Sequence, residues 1–252
     1  MHELFTNCAK YKILVNMPIA EQETINKQFQ TLVQKGGNSE QTSLIVVRDT
    51  SSSMGNTASG TNMSCYDIAK ALALYFSEFL KGRFQQAWIE FNSSAQMHTW
   101  EGHTPLARWY NDRSNYVGST NFQSVISLFV QLKRQGIPEE EFPTGILCIS
   151  DSEFNPTQLK LTNVEQAKMS LLAGGFSEKY VSEFIIVLWN LHSNAYGPKT
   201  GKKFETYGDV PNVFYFSGYS AATISFLTGK ILNTSELFEA AMSQEILNMI
   251  EL

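Results

Sequence analysis

Basic charge, cysteine and long apolar runs are all scarce in this sequence, and each shortage removes a class of function. Against 24 Asp and Glu there are only 19 Lys and Arg, a formal net charge of -5. A general nucleic-acid or membrane-surface binder needs a basic field to collect phosphates. The three cysteines, Cys8, Cys65 and Cys148, are widely spaced with no C-x-x-C, which fits neither a disulfide framework nor a thiolate zinc site. Cys148 lies in an apolar run, where a buried, inert thiol is expected. The longest apolar run, Phe184 to Trp189, is far too short to span a bilayer. The N-terminal stretch MHELFTNCAKYKILVN has no apolar core of signal-peptide length. A cytoplasmic protein is therefore expected, and the N-x-S/T sequons at Asn62, Asn92 and Asn233 matter only in a secreted chain.

What is present is an ordinary globular composition. The 252 residues are 43% hydrophobic and 17% charged, enough for one large α/β domain or one domain with a small appendage. Residues 1–41 differ from the rest. From Pro18 onward, Ile25, Phe29, Leu32 and Val33 have amphipathic helical spacing, and Gly36-Gly37-Asn38-Ser39 stops the pattern. This reads as an N-terminal helical extension or the remnant of a preceding domain, with an α/β domain over residues 42–252.

In that second part strands and helices alternate. The β-branched run Ser43 to Val47 predicts a strand covered on both faces, followed by a helix over 66–81 with Ile68, Leu72, Phe76 and Phe79 on one side. Further strands are expected at Phe84 to Phe91, Gln96 to Trp100 (an antiparallel hairpin arm), Gly145 to Ser150, Phe184 to Trp189 and Val213 to Phe216. Helices are expected over 121–135, 158–173, 219–228 and 235–250. The pattern predicts a doubly wound, mostly parallel sheet with one short antiparallel edge strand and helices on both faces. Such sheets bind ligands outside the carboxyl ends of their strands, where the topology reverses.

The loops at that edge carry oxygen ligands. After the first strand comes Asp49-Thr50-Ser51-Ser52-Ser53, a D-x-S-x-S pattern whose alternate residues offer one carboxylate and two hydroxyls. Thr120 stands before the helix at 121, and Asp151 follows the strand ending at Ser150. Hard oxygen donors of this kind suit Mg²⁺, Mn²⁺ or Ca²⁺, not zinc or copper. Taken singly, each has a plain alternative: a Ser-rich turn, a helix cap at Thr120, a turn residue at Asp151. Together, two carboxylates and three hydroxyls from three loops at one edge point to one divalent cation, Mg²⁺ first. Glu153 and Asn121 are candidates for supporting the ligands from behind.

These motifs resemble the metal-ion-dependent adhesion site of the von Willebrand factor A (VWA) family over roughly residues 42–230. The resemblance implies a Rossmann-like fold and a metal held by Asp49, Ser51, Ser53, Thr120 and Asp151. Stretches beginning at Asp67, Ser150, Val187 and Phe216 look most like an intracellular branch. It holds the RNA-binding Ro (TROVE) proteins and an uncharacterised group known only as a domain of unknown function. In Ro proteins a helical-repeat domain binds small RNAs; no such domain fits before residue 42, so RNA binding is not carried over. Arg48 stands where the family has an apolar residue, and Ser52 and Ser152 where it has Gly. None of these departures removes a ligand.

The implied function is a metal-dependent protein-binding module, the cation's exchangeable position being completed by a partner's Asp or Glu. No membrane partner is expected. The alternatives are a subunit of a Ro-like RNA–protein complex and a metal-dependent hydrolase. The only independent support for RNA is the cluster Lys199, Lys202 and Lys203, and a charged loop of this kind is normally just solvated. A hydrolase would need a base, yet His2, His98, His103 and His192 all lie outside the three loops, and Glu153 reads better as support. There is no G-x-S-x-G elbow, and Gly197-Pro-Lys-Thr-Gly-Lys-Lys has the wrong spacing for a phosphate loop. The expectation is a protein without enzymatic turnover. Trp88, Trp100 and Trp189 read as core, whereas Trp109-Tyr110 and Tyr116 could instead line a partner surface.

Overall fold

The structure is a computed structural model, and it describes residues 14–36, 43–58, 61–112, 114, 121–151, 163–191 and 211–217. In chain order it contains α1 (Ile19–Gly36), β1 (Leu44–Asp49), α2 (Cys65–Ser77), β2 (Ala87–Phe91), β3 (Ala95–Thr99) and α3 (Pro105–Asn111). These are followed by α4 (Phe122–Arg134), β4 (Gly145–Ser150), α5 (Asn163–Ala173), α6 (Glu178–Glu183), β5 (Ile185–Asn190) and β6 (Val213–Ser217). The expected helices at 219–228 and 235–250 lie outside the described residues.

The six strands form one sheet in the order β3-β2-β1-β4-β5-β6. All neighbours are parallel except β2 and β3, which pair antiparallel with Ala87 opposite Thr99 and Phe91 opposite Ala95. The predicted α/β architecture with an antiparallel edge is thus present. The order reverses between β1 and β4, so the crevice of a doubly wound sheet opens above those two strands.

Successive side chains on a strand face opposite sides, and the core splits accordingly. Leu44, Val46, Trp88, Leu147, Ile149 and Val187 pack with α1, α2 and α3. Ile45, Val47, Ile89, Ile146, Cys148 and Leu188 pack with α4, α5 and α6. The N-terminal helix belongs to this packing: Ile25 and Phe29 join the first layer, and the Asn26 side-chain oxygen accepts the Leu106 N–H of α3 at 3.1 Å. Gly145 permits close passage of β5, since a Cβ there would fall 2.7 Å from Ile185 Cβ.

Several boundaries differ from the sequence expectation. β1 runs through Arg48 to Asp49, all six of its residues buried, because Arg48 finds partners inside the fold. Phe84 belongs to a 3₁₀ turn, and the strand begins only at Ala87 because Gln86 adopts a positive φ of 57°. α2 ends at Ser77, not near residue 81. Two short helices went unpredicted. α3 carries a Thr104 cap accepting from the Ala107 N–H and a proline in its first turn, and α6 a Ser177 cap accepting from the Tyr180 N–H. Among the described residues no helix is long and apolar enough to cross a membrane.

Candidate metal centre

Asp49 ends β1, Asp151 immediately follows β4, and these strands are neighbours, so the sheet brings both carboxylates to one edge. Asp49 is fully buried. Its Oδ1 accepts the Ser51 N–H at 2.8 Å, and its Oδ2 accepts a hydrogen bond from the Ser150 hydroxyl. The Ser51 and Ser53 hydroxyl oxygens lie 3.1 Å apart, and the Ser53 hydroxyl donates to Asp151 Oδ1 at 3.0 Å. Four of the five predicted ligands therefore form one connected cluster. Thr120 lies outside the described residues, as does Glu153.

Burial pushes the Asp49 carboxyl above its ordinary pKa; hydrogen bonds from Ser150 and Ser51 work against this, and the nearby Asp151 charge adds to it. Cys65, the first residue of α2, feels the same surroundings. Burial above all, and then the charges of Asp151 and Asp49, push its thiol up to about 12. Cys65 and Cys148 are both buried and free, as expected of inert thiols, while Cys8 lies outside the described residues.

The donor set fits a hard cation. Two carboxylates share an edge where ionising both is opposed by burial and mutual repulsion, and a divalent ion relieves both penalties. The oxygen spacings of 3.0 and 3.1 Å are those of hydrogen bonds. They are also about the edge length of an octahedron with metal–oxygen bonds of ~2.1 Å. Among the described residues no group of three or more His, Cys, Asp or Glu could hold a metal, so such a centre depends on the hydroxyls.

Supporting contacts come from β2. Thr50, between two of the ligands, donates from Oγ1 to Glu90 Oε1 at 3.0 Å and accepts from Asn92 Nδ2 at 3.2 Å. Its N–H donates to the Phe91 carbonyl at 3.1 Å. His98 Nε2 stands 2.9 Å from Glu90 Oε2 on the far side. Asn121 is tied to the same strand end, its N–H donating to the Asn92 carbonyl at 2.8 Å and its Nδ2 to the Ser93 carbonyl at 3.3 Å. Sequence reasoning named Asn121 but missed Thr50, Glu90 and Asn92. Thr50 and Glu90 are 40 residues apart, and no local pattern links them.

Arg48, in register with Glu90 on the sheet face that packs against α1, α2 and α3, is fully buried. Its Nη2 donates to Asp112 Oδ1 and Oδ2 at 3.0 and 3.1 Å, and its guanidinium carbon lies 3.8 Å from the Trp88 ring centre. Lys70 Nζ is 3.5 Å from Asp112 and 4.3 Å from the Trp109 ring centre. Burial works to raise the Asp112 pKa, but Arg48, Lys70 and the Tyr66 hydroxyl outweigh it and hold the carboxyl at about 2. Trp109 is itself buried, which corrects its reading as a partner surface: its ring packs in the core over Lys70. Tyr110 is only partly buried, and Tyr116, Lys199, Lys202 and Lys203 lie outside the described residues.

The sequence model of a family described as a domain of unknown function, DUF7788, matches residues 43–249. The chain belongs to the DUF7788 family. That match takes in all three loops of the candidate centre and leaves α1 outside it. No curated protein matches this DUF7788 chain. The crystal structure of the Ro (RSR) protein of Deinococcus radiodurans is similar, with a TM-score of 0.49 and 14% identity over 82% of this chain. The chain spans 38% of the length of that Ro protein.

Proposed function

We propose that this DUF7788 chain is a divalent-metal-dependent protein-binding module of VWA type. The observation that carries the reading is the 3.0 Å contact between Ser53 and Asp151, two residues 98 apart in sequence. It joins the loop after β1 to the end of β4 through side chains that have no apolar role. In this reading Asp49, Ser51, Ser53 and Asp151 hold the cation, with Thr120 as a further ligand, Mg²⁺ as the first choice and Mn²⁺ or Ca²⁺ as alternatives. The bound ion supplies an electrophilic position that accepts a carboxylate from an Asp or Glu of the partner protein. The Ser51 N–H and the Ser150 hydroxyl fix the Asp49 carboxylate for that task.

No turnover is proposed. Of the described histidines, His98 is engaged with Glu90 and His103 is exposed on the turn before α3. A hydrolytic centre would want such a base beside the cation.

Calorimetric titration with Mg²⁺ and Mn²⁺ tests the reading. Wild type is expected to bind one ion, and Asp49→Ala to bind none while keeping its fold. Undiminished binding by Asp49→Ala would sink the assignment. In lysate pull-downs the partner should be released by EDTA and resist nuclease. Co-purifying RNA that is indifferent to EDTA and falls steeply with salt would favour a ribonucleoprotein subunit instead.

A further inference from the structure

We infer that the Thr50 hydroxyl and Asn92 form a positioning bracket for the metal loops, setting ion affinity without touching the ion. The inference rests on the metal reading above and concerns residues that the reading does not use. Asp49 and Ser51 belong to the candidate centre; Thr50, between them, is held by β2. It is fully buried, and its N–H and hydroxyl are both engaged with the end of that strand. Its N–H goes to the Phe91 carbonyl, its hydroxyl proton to Glu90, and its hydroxyl oxygen accepts from Asn92 Nδ2. Three hydrogen bonds thus pin the residue that separates two proposed ligands.

Asn92 works in two directions. Its side chain holds Thr50, while its main-chain carbonyl accepts the Asn121 N–H at 2.8 Å. The Asn121 side chain adds a bond to the Ser93 carbonyl, and the Asn121 carbonyl accepts the Ser124 hydroxyl at 2.7 Å inside the first turn of α4. The end of β2 therefore couples the Asp49–Ser53 loop to the start of α4, next in sequence to Thr120. Such outer contacts orient the groups that bind the ion, and losing one commonly weakens affinity by roughly 10- to 100-fold. A purely structural hydroxyl would change stability and leave affinity alone.

The test is Mn²⁺ calorimetry paired with thermal melting in EDTA. Thr50→Val keeps the volume but removes the hydroxyl, and is expected to weaken Mn²⁺ binding roughly tenfold or more. Thr50→Ser restores the hydroxyl and should recover the wild-type affinity. Asn92→Ala should weaken binding similarly, and the double variant no further than the worse single, because both break one network. Wild-type affinity in Thr50→Val, or an affinity loss that Thr50→Ser fails to rescue, overturns the bracket. Should Thr50→Val fail to melt cooperatively in EDTA, Asn92→Ala decides: unchanged affinity there overturns the bracket as well. Absence of Mn²⁺ binding by wild type removes the metal reading and the bracket together. Normal binding by both wild type and Thr50→Val removes the bracket alone.

Discussion

Arg48 and Asp112 form an ion pair with side chains 0% and 1% exposed, one residue before the first carboxylate of the candidate centre. Two Arg48 nitrogens, Nε and Nη1, are buried without a hydrogen-bond partner among the described residues. In exchange for water the guanidinium has Asp112, Tyr66, Ser114 and the faces of the Trp88 and Trp100 rings. Buried pairs of this kind are weak sources of stability when intact and costly when half removed.

Removing one partner should therefore hurt more than removing both. Arg48→Met is expected to cost roughly 3–5 kcal/mol, since it leaves Asp112 buried with Lys70 as its remaining cation. Arg48→Met combined with Asp112→Leu should recover much of that loss. Urea denaturation of the two singles and the double closes the cycle. A cost below about 1 kcal/mol for Arg48→Met would show that the pair is not truly desolvated.

The same carboxylate sets an acid limit. The Asp112 pKa is about 2 in the fold against an ordinary 3.8, so the ionised form is favoured by folding. For a depressed pKa the contribution is complete above the unfolded value and disappears as pH falls through the folded one. Roughly 2 kcal/mol should vanish between about pH 4 and pH 2. Denaturation curves across that window should be steeper in pH for wild type than for Asp112→Asn. Parallel curves would remove Asp112 from the account.

Gly145→Ala probes the sheet itself. The added methyl would meet the Ile185 carbonyl oxygen, and would lie 2.7 Å from Ile185 Cβ and 2.9 Å from the Ile185 carbonyl carbon. Two of these obstacles are backbone, so β4 and β5 must separate locally. A loss of about 1–3 kcal/mol or more is expected by chemical denaturation. Wild-type stability would mean that β5 shifts at little cost.

Much of the fold was legible because central parallel strands are buried on both faces and read as unbroken apolar runs. Gly145 to Ser150 came out to the residue. Legibility failed where tertiary partners decided the matter. β1 looked finished at Val47 because a lone arginine breaks the run, and only Asp112 and Trp88, distant in sequence, make it an acceptable strand residue. The short α3 left a readable signal in Thr104-Pro105, but its seven residues give too little periodicity to register. In the candidate centre, the residues with donor oxygens at alternate positions were readable. Thr50 was not, since nothing local distinguishes a hydroxyl that faces Glu90 from one that faces solvent.

The adjacency of β1 and β4 works as a ruler. Arg48 is in register with Ile149, so Asp49 and Ser150 end their strands side by side, at the spacing of ~4.8 Å that separates neighbouring strands. The gap between the carboxylate of Asp49 and the segment bearing Asp151 is graduated by backbone hydrogen bonds, not by the length of any loop. The roughly one hundred residues that join them can lengthen or shorten at their surface turns without resetting that distance. Only a slip of the β1–β4 register, which would turn Leu147 and Cys148 to the wrong faces, could miscalibrate it.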